Sequence, residues 1–112
     1  MKTGLYFDNR ELYHYLQKYC RTNNCLFEPY FTGDEYGVSV PVTEKVDPIC
    51  EFLKVFVDGM KYNNLSKYDV DFADFYDNAF SIWKDLLGEQ KADELYKKMD
   101  SFYNKLWNEE GI

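Results

Sequence analysis

Residues 92–106 set the rhythm of the chain: Ala92, Leu95, Tyr96, Met99, Phe102, Tyr103 and Leu106 recur at i, i+3, i+4 spacing, the stripe of an amphipathic helix. Leu12, Tyr15, Leu16, Tyr19 and Cys20 repeat that period, and Asp8 with Glu11 three residues on predicts a capping-box start. The Asn-rich "RTNN" is expected to end this helix, because Asn tolerates left-handed backbone. Asp47–Pro48 predicts a second helix start, an N-cap followed by proline at the first helical position. Its stripe is Ile49, Cys50, Leu53, Phe56, Val57 and Met60, and Gly59 is expected where it ends. A third helix runs from about Asp71 to Leu87 and closes at Gly88.

Between the first two helices the period changes to two. Tyr36, Val38, Val40 and Val42 alternate with Gly37, Ser39 and Pro41, which predicts a strand with one buried face. Leu26 to Phe31 forms its partner, with "TGDE" as a hairpin turn and with an edge or bulge at Pro29 and at Pro41. "GLYF" at residues 4–7 is a candidate third strand. The expected fold is α+β: an N-terminal helix, a small antiparallel β-hairpin or sheet, then three helices packed on it. At 112 residues the chain is expected to be a single domain, 1–112.

The polar positions of the third helix are less ordinary. At 100° per residue, Phe72, Phe75, Tyr76, Ala79, Ile82 and Trp83 share one side, while Asp71, Asp74, Asp77, Asn78 and Asp85 share the other. No Lys or Arg relieves that side until Lys84. The following helix mixes Lys91, Asp93, Glu94, Lys97, Lys98 and Lys105. Aspartates near a helix start are favoured by the macrodipole, by about 0.3–1 kcal/mol each, and a solvated polar face is the plain explanation. Yet like charges three residues apart repel, and a face serving solubility alone intersperses lysine. Carboxylates three residues apart rise about 4.5 Å along a helix, against about 3.4 Å between phosphates on a DNA strand.

Charge strengthens this contrast. The net charge is −7; residues 1–56 carry eight acids and six bases, residues 57–112 twelve and seven. Direct nucleic-acid binding, which uses basic stripes, is therefore not expected, whereas a basic partner would be attracted. Aromatics are 20% of the chain, eleven of them Tyr, which suits a small core and a contact surface alike. Three cysteines, an odd number, with no apolar leader and no run of about 18 apolar residues, read as reduced thiols in a cytoplasmic protein without a membrane span.

Catalytic chemistry has no signature here. Three Cys and one His would only just supply the four ligands of a structural zinc site, and apolar burial on helix stripes accounts for Cys20 and Cys50; no serine lies in a nucleophile elbow, and no Gly-rich phosphate loop occurs. His14, between Tyr13 and Tyr15, is the one imidazole. No catalytic residue, metal or cofactor is assigned, and the chain is read as a non-enzyme.

The stretches "TGDEYGVSV", "ICEFLKVFVDGMKYN" and "DVDFADFYDNAF" make the chain resemble the small acidic type II anti-CRISPR proteins of phages from Gram-positive bacteria, inhibitors that mimic the protospacer-adjacent DNA. The resemblance covers roughly half the chain, and the added C-terminal helix departs from that pattern. It implies a phage or mobile-element inhibitor acting in the cytoplasm of the host bacterial cell. Such an inhibitor occupies the basic DNA-binding groove of a nuclease such as Cas9, without catalysis. The acidic hairpin turn and helix start of that family correspond here to Asp34 and Glu35, and to Asp69, Asp71 and Asp74, with Asp77 added from the helix face. An immunity or antitoxin protein neutralising a basic toxin fits the same charge logic, and a small enzyme or adaptor with a solvated acidic helix is the remaining alternative.

Overall fold

The computed structural model describes residues 1–108. The order is β1 (Lys2–Phe7), α1 (Arg10–Thr22), β2 (Glu28–Phe31), β3 (Tyr36–Pro41), α2 (Asp47–Tyr62), α3 (Ala73–Leu87) and α4 (Glu89–Asn108). The fold is α+β, with the candidate strand at 4–7 realised over Lys2–Phe7, so a strand precedes the first helix.

β3 is the central strand of an antiparallel sheet ordered β1-β3-β2. Leu5 stands opposite Val38, Phe7 opposite Tyr36 and Pro29 opposite Val38. Since successive side chains alternate faces, Thr3, Leu5, Phe7, Val38 and Val40 point together into the core. Pro29 sits on edge strand β2 and Pro41 ends β3, positions where a missing ladder donor costs least. The β2–β3 turn is closed by Thr32, whose N–H donates to the Glu35 carbonyl at 3.0 Å while its Oγ1 accepts from the Glu35 N–H at 3.1 Å.

Aromatic rings fill the space between sheet and helices. Phe52 meets Phe27, Phe56 and Phe75 at 5.2–5.5 Å between ring centres, and all four are buried. α3 lies alongside β1, tied by the Thr3 hydroxyl donating to the Phe75 carbonyl at 3.1 Å. Trp83, fully buried, donates its indole N–H to the Thr43 carbonyl at 2.7 Å and so fastens α3 to the β3–α2 connection. α4 packs on α3 and α2, and Lys61 of α2 donates to the Leu106 carbonyl at 2.7 Å, near α4's end.

Several helix boundaries differ from expectation for local reasons. Asn9, not Asp8, caps α1: its side chain accepts the Leu12 N–H at 2.8 Å. α1 ends at Asn23 in extended backbone, and the left-handed asparagine is Asn64, after α2. Gly59 does not end α2; it lies inside it, where an added Cβ would stand 2.7 Å from Tyr15 and 2.9 Å from Leu12, so it permits α1 to approach. Gly88 closes α3 as expected, with φ 89 and ψ 164, a region that glycine alone occupies comfortably.

Candidate functional site

The six acidic residues singled out from the sequence are all exposed, and the fold divides their work. α3 begins at Ala73, two residues later than expected, because Asp71 accepts the Ala73 N–H at 2.9 Å from just outside the helix. Asp69 is tied into a turn, accepting the Ser66 N–H at 2.6 Å. Both aspartates thus hold backbone donors, as short acidic side chains do before helices. Asp74 and Asp77 remain as the helical i, i+3 pair, and the phosphate-like spacing applies to them alone.

Because α3 runs beside β1, its start meets the hairpin. Glu35, Asp71 and Asp74 line one recess of about 290 Å³, whose remaining wall is Gly4, Leu5, Tyr6 and Phe75. The fold therefore brings one residue of the acidic turn beside the acidic helix start. Asp34 stays on the turn's tip and Asp69 in its own turn, while Asp71 is shared with a second cleft that also holds Asp77. Among the described residues no three His, Cys, Asp or Glu side chains converge as a metal site requires. The carboxylates are spread over a surface.

Beside the recess lies the outer face of the sheet, which carries Tyr6, Glu28 and Tyr30 and, among the described residues, no helix. The Tyr30 ring lies flat over Gly37, where an added Cβ would stand 2.7 Å from Cζ, and meets Tyr6 edge-on at 6.2 Å. Burial, then the neighbouring Tyr6 hydroxyl and the Glu35 charge, push the Tyr30 phenol up to about 12. Its hydroxyl is neutral at physiological pH and is engaged with that of Tyr6.

The ion pairs among the described residues, Lys91–Glu94 at 3.5 Å and Lys97–Asp93 at 3.0 Å, both lie on α4. None of the acidic residues of the recess has such a cation.

His14 lines a different groove, of about 560 Å³, between α1 and the end of α2, with Glu11, Tyr15, Tyr19 and Tyr62. Its Nε2 accepts from the Arg10 side chain at 3.3 Å. A general base is normally oriented by an acceptor on its other nitrogen, and no carboxylate hydrogen-bonds this imidazole among the described residues. Burial first, then a hydrogen bond with Cys25, pushes the Cys20 thiol up to about 12, away from the thiolate that nucleophilic chemistry needs.

Sequence reasoning missed Asp100. It stands on α4 between Tyr96 and Tyr103, half-buried, and faces the acidic helix start across the second cleft. Its i+4 and i+3 relation to two tyrosines was a usable signal. No described helix is long and apolar enough to cross a membrane. Comparison of the chain with protein-family models, curated proteins and solved structures gives no match.

Proposed function

We propose that the chain is an acidic binding protein that occupies a basic, nucleic-acid-binding groove of a protein partner and blocks it without catalysis. The observation that carries this reading is the recess where Glu35, from the hairpin, joins Asp71 and Asp74, from the start of α3, with no cation among its lining residues. Carboxylates on two separate elements, fixed by a sheet and a helix, present an anionic surface in a set geometry, and a preformed surface loses little freedom on binding. The adjoining Tyr6 and Tyr30 add flat, amphipathic contact area of the kind enriched at interfaces.

The favoured partner is a nuclease of the Cas9 type, which holds nucleic acid in a positively charged channel. The resemblance to acidic anti-CRISPR proteins supports that choice, and a role in the host bacterial cytoplasm goes with it. An immunity protein against a basic toxin uses the same surface and is separated by partner, not by chemistry.

The test is inhibition of DNA binding by a purified Cas9-type nuclease, at low and at high salt. Tight binding at low salt that weakens steeply as the screening length falls from about 10 Å at 0.1 M to about 3 Å at 1 M is the expected result. The triple variant E35K/D71K/D74K should lose inhibition while keeping its circular dichroism. Inhibition equal to that of the unmodified chain would rule out the acidic recess as the contact surface.

A further inference from the structure

The second cleft, about 510 Å³ between the start of α3 and the middle of α4, has a composition that the acidic recess does not explain. Its carboxylates are Asp71, Asp77 and Asp100. Its one cation, Lys67, is already engaged, donating to Asn104 Oδ1 at 2.7 Å with its ammonium 5.9 Å from the centre of the Tyr103 ring. Asp100 is half-buried; it accepts from the Asn104 amide at 3.4 Å and lies against the Tyr76 hydroxyl, and no cation pairs with it among the described residues. Taking a carboxylate partly out of water without a cation is costly.

A second observation points the same way. Tyr76 is 9% exposed, lines this cleft, and its buried hydroxyl has no hydrogen-bond partner. The hydroxyl faces the Asp100 carboxylate without completing a hydrogen bond, and burial, then the Asp100 charge, hold the phenol strongly in its neutral form. Buried polar groups in folded proteins are nearly always satisfied, so an orphaned hydroxyl beside an unpaired carboxylate marks a place where something polar is missing. Around them stand Tyr96, edge-on to Tyr76 at 5.5 Å, and Tyr68, which is 88% exposed at the rim.

A cation with a flat, weakly hydrated face suits the carboxylates and tyrosine rings that the cleft leaves accessible. Carboxylates take its N–H donors in pairs, and tyrosine faces attract its charge. A compact, strongly hydrated ammonium gains less from stacking. We propose that this cleft receives an arginine side chain of a protein partner, with the guanidinium donating to Asp100 and Asp77 and lying against Tyr68 and Tyr96. The inference rests on the basic-partner reading above, but it concerns one side chain and needs no nuclease for its test.

The experiment titrates the isotope-labelled full chain with a blocked Gly-Arg-Gly peptide and with its citrulline counterpart, which keeps the shape and loses the charge, following amide shifts by NMR. Saturable shifts confined to residues 67–77 and 96–104 are expected with arginine, and citrulline should bind about tenfold more weakly or worse. D100N should weaken the arginine peptide to a similar degree while melting no lower than the unmodified chain, since it removes a half-buried charge. Y68A, at an exposed position, checks the rim without touching the core. Citrulline binding as tightly as arginine, D100N leaving affinity unchanged, or shifts spread equally over Asp34, Asp85 and Glu89 would each overturn the proposal. Nuclease inhibition with no peptide binding defeats this inference alone; peptide binding with no nuclease inhibition defeats the nuclease reading alone.

Discussion

α3 and α4 are neighbours packed against one another, and each buries an apolar stripe in the same core, yet their solvent faces are built on different rules. α4 alternates signs and makes two ion pairs at i, i+3 and i, i+4, the arrangement that stabilises a helix locally. The first two turns of α3 carry Asp74 and Asp77 three residues apart, with Lys84 as its first base. One helix spends its surface on its own stability. The other holds like charges together at a small cost, and that cost is explained if a partner supplies the opposite charge.

The buried sides should respond alike and strongly. Trp83→Ala removes the largest fully buried side chain together with its bond to Thr43, and is expected to cost about 3–5 kcal/mol in a urea melt; Met99→Ala, its counterpart on α4, about 2–5 kcal/mol. Markedly unequal losses would show that the two helices do not share one core. Alkali should act on the seam between them. Burial is the leading cause that raises the phenols of Tyr76, Tyr96 and Tyr103, so the folded state holds these protons longer than the unfolded chain does. Their contribution is fully present below the ordinary tyrosine value of 10.0 and is lost as pH climbs above it. Spectrophotometric titration should find late-ionising tyrosines, with unfolding accompanying their ionisation.

A smaller effect belongs to the joint itself. Gly88→Ala places a side chain at φ 89 and should cost about 1–3 kcal/mol, with no change in charge. The smallest effects discriminate best between the two surfaces. Asp77→Lys turns a repulsive pair with Asp74 into an attractive one and should raise stability by about 0.2–0.5 kcal/mol while weakening partner binding. Lys97→Ala removes an exposed pair with Asp93 and should lower stability by about 0.3–0.5 kcal/mol while leaving binding unchanged. If both substitutions move stability and binding in the same direction, the contrast between the helices carries no functional meaning.

Much of the architecture could be read from the residues because local signals agreed with the fold. The period-3.6 stripe of α4, the "TGDE" turn and the glycine after Leu87 each carry a complete physical reason within a few positions. Boundaries were harder where two side chains competed for one task. Asp8 and Asn9 both can cap a helix, and only the folded chain shows Asn9 reaching Leu12 N–H. Asp71 looked helical by angle but serves as an acceptor before the first turn. Gly59 read as a stop because the crowding of Tyr15 and Leu12 against α2 is a tertiary contact, invisible in one segment. The meeting of Glu35 with Asp71 and Asp74 has the same origin, since it depends on α3 lying beside β1. So does the cleft around Asp100, whose walls come from two helices and the connection before α3.

The shape of the sheet has one more consequence, for the behaviour of the chain among its own copies. An unpaired strand margin is a template on which a second molecule can stack and start a fibre. Here one margin, β1, has α3 alongside it, and the other, β2, is four residues long with Pro29 in its second position. Neither offers a long run of free ladder donors. The sheet can therefore keep its tyrosine-bearing face open without its margins recruiting the next copy of the chain edge to edge.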